Sequence, residues 1–129
     1  MFRTQQDTLR SLLTTAARRT AAARDLIETA NAAIHTSLGE PPDVETVDAA
    51  RATLAEAVRI LGEADRLTGE ARASGHTAAR RALDRLGQAR AEVARALEKL
   101  GDGGPSFVRH HLLDAEGFVS KAETEIRRA

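Results

Sequence analysis

Between positions 9 and 34 the chain returns to the same side at alternating steps of four and three residues: Leu9, Leu13, Ala16, Thr20, Ala23, Ile27, Ala30 and Ile34. A period of 3.5 keeps one stripe of an α-helix turned toward a neighbour for many turns, so this spacing predicts a long packed helix over about 4–38. Thr4 with Asp7 three residues on is a capping-box-like start. Gly39 suits the left-handed position after a helix, and Pro41 and Pro42 cannot continue one. Asp43 then offers an N-cap for a second helix over about 44–73, with Val47, Ala50, Leu54, Ala57, Leu61, Ala64 and Thr68 on its stripe.

The third element follows from a break in phase. Carried past Ser74-Gly75, the second stripe would place Arg85, Glu92 and Lys99 on the apolar line, so the chain must turn there. A new stripe of Ala79, Ala82, Leu86, Ala89, Val93, Ala96 and Leu100 predicts a helix over about 77–100. Gly101-Asp102-Gly103-Gly104 reads as a loop, and Pro105 suits the first turn of a fourth helix over about 105–127, carrying Val108, Leu112, Ala115, Val119, Ala122 and Ile126.

Four such helices joined by short connections predict an all-α fold: a four-helix, up-down-up-down antiparallel bundle forming one domain over residues 1–129. The seams alternate alanine with larger apolar residues, which allows close helix approach. Leu12, Leu26, Ile60, Leu67, Leu83 and Leu97 lie beside the strict seam, as expected of residues that widen a bundle's core face. The second helix carries six acidic and four basic side chains while the first and third are net basic, which places it between them.

Composition narrows the function classes. Alanine makes up about a fifth of the chain and the large apolar types about another fifth, so the core is thin. There is no Trp or Tyr, and Phe2, Phe107 and Phe118 are the three aromatic residues, which removes the usual anchors of recognition hot spots and base stacking. With 19 basic and 19 acidic side chains the net charge is zero, and no nucleic-acid partner is expected. The absence of cysteine excludes disulfides, thiolate catalysis and thiolate-ligated zinc. No stretch approaches the roughly 20 apolar residues of a membrane span, and MFRTQQDTLRSLL has no apolar segment of signal-peptide length, so a cytoplasmic location is expected. Of the 19 basic residues 17 are Arg, which fits a GC-rich bacterial genome.

Candidate chemistry is sparse. A ferritin-type metal centre needs Glu-x-x-His on inward faces, and no Glu here stands three residues before a His. The best remaining metal candidates are His35, His110, His111 and Asp114, which an antiparallel bundle brings to one pole, with His110 and Asp114 one turn apart; His76 belongs at the other pole. The plainer account is that these are ordinary polar residues near helix ends, and no cofactor is expected. Ser11, Thr14 and Ser106 sit in no nucleophile elbow, and Gly103-Gly104-Pro105 matches no phosphate loop, so no catalytic role is expected. Arg80, Arg81, Arg85, Arg90, Arg95 and Lys99 outweigh Asp84, Glu92 and Glu98 on the third helix, and a solvated face explains this better than an anion site.

The glycines ask for a reason, because each inside a helix costs roughly 1 kcal/mol relative to alanine. Gly62 and Gly69 share a line with Val58, and Gly117 shares one with Leu113, Ser120 and Thr124. Close approach of another helix would account for both lines, with a helix of the same bundle the first choice and a second copy the other. The expected function is a non-catalytic helical interaction or structural module, with a protein partner or self-association through Gly62, Gly69, Leu113 and Gly117. Two alternatives stand beside it: an amphipathic lipid- or polymer-surface protein of phasin-like or apolipoprotein-like type, and a metal-binding bundle using the histidine pole. No pattern names a small-molecule ligand.

Overall fold

The 3.5-residue stripes become four helices: α1 (Phe2–His35), α2 (Val44–Ala73), α3 (Ala78–Gly101) and α4 (Pro105–Arg128). The computed structural model describes residues 2–35, 43–73, 78–101 and 105–128, and among these only Asp43 lies outside a helix. The fold is all-α.

The second helix spans 44–73 as expected, and its cap is the predicted one. The Thr46 amide donates to Asp43 Oδ1 at 2.7 Å, which satisfies one of the amides that a helix start leaves unpaired, and the Val47 amide makes the first helical bond, to the Asp43 carbonyl at 3.0 Å. Hydrogen bonding from the Thr46 side chain, and next from its amide, holds the Asp43 carboxyl below its ordinary range. The start of α1 differs from expectation. The helix is already formed at Phe2, so Thr4 lies inside it and cannot be its N-cap. The end expected for the first helix near residue 38, with the Gly39-Pro41-Pro42 stop, falls outside the described residues, as do the Ser74-Gly75 turn, His76 and the loop at 102–104. Pro105 opens α4, where its missing amide is no loss.

The seams form the core. Every predicted seam residue is buried except Leu9 and Val47, which lie near helix N-termini and are half-buried against the same cluster. Ile27, Leu54, Leu61, Leu86 and Leu112 are the largest fully enclosed side chains, and much of what separates them is alanine. Thr20 and Thr68 sit on the seam without leaving a polar group unpaired. Each hydroxyl donates to the carbonyl four residues back, Ala16 and Ala64, at 2.7 Å. Of the residues beside the seam, Ile60 joins the core, and Leu26, Leu67 and Leu97 pack against it while Leu12 and Leu83 are half-buried.

The principal helix–helix contacts are α1–α2, α3–α4, α1–α4 and α2–α3, so each helix has two main neighbours. They are unequal. The pairs α1–α2 and α3–α4 meet more extensively than α1–α4 or α2–α3. As its acidic balance predicts, α2 lies between α1 and α3. Its Glu63 faces Arg19 of α1 at 3.4 Å and its Asp65 faces Arg90 of α3 at 3.9 Å.

Candidate functional site

At the histidine pole the rings of His110 and His111 lie 5.8 Å apart, and each meets a different carboxylate. His110 and Asp114 are one turn apart on α4, and His110 Nε2 lies 3.3 Å from Asp114 Oδ2, with both side chains well exposed. His111 points elsewhere. Its Nδ1 is 2.7 Å from Glu92 Oε2 of α3, in a mostly enclosed position. Glu92 also receives Arg95 at 2.5 Å. His35 ends α1, and its side chain lies outside the described residues. Among the described residues, no group of three or more His, Asp or Glu side chains is placed to hold a metal ion.

Three of the basic side chains of α3 have described polar partners. Arg90 meets Asp65 of α2, Arg95 meets Glu92, and Arg85 donates to Gln88 Oε1 at 3.1 Å. Arg81, Asp84, Arg85 and Gln88 line an open groove with Glu125 of α4, whose volume is about 580 Å³. With Asp84 and Glu125 beside the two arginines, this groove is balanced in charge and makes no anion cradle.

At Gly62, Gly69 and Gly117 the structure corrects the internal-packing reading. A Cβ built at any of the three meets nothing within 4 Å, and the same is true of Gly87. No helix of this chain approaches closely enough to need a glycine at these positions. Among the described residues Leu113, on the Gly117 face, is a large apolar side chain left well exposed, at 47%, as is Val44 at the start of α2.

The α1–α4 boundary carries polar groups that spacing alone did not reveal. Arg24 of α1 pairs with Glu123 of α4 at 2.5 Å, with the carboxylate largely enclosed, and also approaches Glu28 at 3.9 Å. Glu116 lies two turns before Glu123 on the same face of α4. Burial, and next the negative charge of Glu28, push its carboxyl above the ordinary glutamate range. Asn31 lies two turns beyond Arg24 on α1, and its Oδ1 is buried without a hydrogen-bond partner. All these residues flank the seam, where sequence marks them only as polar.

The raised Glu116 carboxyl has a consequence for stability. The folded chain holds that proton more tightly than the unfolded chain does, so this group favours folding below its folded-state pKa and penalises it above. Glu116→Gln is therefore expected to raise stability at pH 7, by about a few tenths of a kcal/mol after allowance for solvent screening. Urea titrations of both proteins from pH 4 to pH 8 check this: their difference should shrink toward acid pH. A less stable variant at pH 7 would mean that the charged carboxylate is a net stabiliser.

Comparison with models of known protein families, with curated proteins and with solved structures finds no match to this chain. No helix among the described residues is long and apolar enough to cross a membrane.

Proposed function

We propose that this chain is a non-catalytic helical interaction module that works through its outer faces, with a second copy of itself as the partner. The reading takes the four helices as one up-down-up-down antiparallel bundle. In support, the residues joined across each sequential pair, Arg19 with Glu63, Asp65 with Arg90 and Glu92 with His111, lie at roughly equal chain distances from the connection between their helices. Chain reversal at each connection produces that symmetry.

One observation carries the interaction reading. Gly62, Gly69 and Gly117 sit in helix interiors, where each costs roughly 1 kcal/mol relative to alanine, yet among the described residues nothing comes within 4 Å of a Cβ built at any of them. A helix arriving from outside is the remaining packing reason for their size, and the exposed Leu113 supplies an apolar contact beside Gly117.

The test is the solution mass across a wide concentration range, by light scattering with refractive-index detection, since the chain lacks Trp and Tyr. A mass rising from 13.8 kDa toward twice that value is the expected result. Gly117→Glu and Leu113→Glu should then return the mass to that of the monomer while keeping the helical circular dichroism spectrum. A protein that stays monomeric at every concentration overturns self-association as the use of these faces.

A further inference from the structure

We propose that the molecule opens as two hairpins, α1–α2 and α3–α4, which part along the α1–α4 boundary before either hairpin unravels. This device lies beyond the interaction reading and does not depend on it. The first ground is packing. The helices within each hairpin meet more extensively than those across the two boundaries between hairpins. Helix pairs held by fewer neighbours separate at lower cost, so the boundaries between cooperative units fall there.

The second ground selects the edge. Asn31 Oδ1 is the buried side-chain atom that lacks a hydrogen bond among the described residues, and parting the boundary returns it to water. One heptad from Asn31, Arg24 holds Glu123, while Glu28 sits close enough to Glu116 to disfavour its charge. The titratable and charged groups that meet on this edge are thus Arg24 and Glu28 from α1 and Glu116, Glu123 and Arg127 from α4, where Arg127 also donates to Glu123 at 3.0 Å. One strong ion pair opposes one like-charge pair and one orphaned amide. The opposite edge, α2–α3, is where the chain passes from one hairpin to the other, which makes it the natural pivot. Its described ion pair, Arg90 with Asp65, is a long contact of 3.9 Å. Opening presents the inner, alanine-lined faces of both hairpins without loss of secondary structure.

Because the chain has no cysteine, spin labels can be placed at will. Asp25→Cys with Lys121→Cys spans the α1–α4 boundary, Asp25→Cys with Ala55→Cys reports within the first hairpin, and Ala91→Cys with Lys121→Cys reports within the second; all four sites are exposed. Pulsed dipolar distances measured in urea below the unfolding transition should show a second, longer population for the boundary pair, while both hairpin pairs keep a single distance. Asn31→Leu removes the orphaned amide and should reduce the longer population by about fivefold or more. Glu116→Gln, a milder change that serves if the leucine does not fit, should reduce it at pH 7 and not near pH 4. The proposal is overturned if all three pairs lengthen together, or if neither substitution changes the longer population.

Discussion

Aspartate in place of Leu54 or Leu86 is expected to abolish cooperative folding. Both side chains are fully enclosed, at 0% exposure, on the seams of α2 and α3. The substitution removes a large apolar group from a core already rich in alanine, and inserts a carboxylate with no cation on the seam to pair with it. Loss of the leucine alone costs about 2–5 kcal/mol. Desolvating an unpaired acid adds more, and the sum consumes most or all of the roughly 5–15 kcal/mol that holds an ordinary domain together. Far-ultraviolet circular dichroism at 25 °C should show most of the helix signal gone in each variant. Near-wild-type melting of either would show that its seam does not face the core.

The second large effect has the opposite sign. Replacing Gly62, Gly69, Gly87 and Gly117 together with alanine is expected to stabilise the monomer, at concentrations too low for self-association, by about 3–4 kcal/mol, because each change removes backbone freedom from the unfolded state and improves helix propensity. The added methyl groups meet nothing within 4 Å, so no packing penalty offsets the gain. Gly62 and Gly69, the two that share a helix, are about 10 Å apart along it, so their contributions should nearly add. In a chain of 129 residues this amounts to a rise in Tm of about 10 °C or more, measured by thermal circular dichroism. An unchanged or lower Tm would mean that something occupies the space beside those glycines. Measuring the same variant at low and high concentration shows whether that occupant is a second copy.

How much of this was legible beforehand differs from residue to residue. Leu54, Leu86 and Leu112 could be assigned to the core because a heptad period sustained over three or more turns has one physical solution, a stripe held against other helices. Asp43 could be assigned as a cap because its side chain acts on amides three residues away, a local interaction that needs no knowledge of the rest of the fold. The histidine pole was only half legible. His110 and Asp114 lie on one helix, where spacing determines proximity, whereas His111 finds Glu92 on a different helix.

From its sequence alone this chain is committed to helices, to the face that each buries and to a break in phase between α2 and α3. Those properties follow from local geometry and from the 3.5-residue period. The tertiary structure decided that α1 pairs more extensively with α2 and α3 with α4, that Arg24 meets Glu123, that Asn31 Oδ1 is left without a hydrogen bond, and that none of the described residues packs against Gly62, Gly69 or Gly117. The physical reason is that a heptad pattern specifies direction around a helix axis. It says nothing of which helix stands opposite, how far along its axis it is displaced or how closely it approaches, and those three quantities place every side chain that flanks the seam.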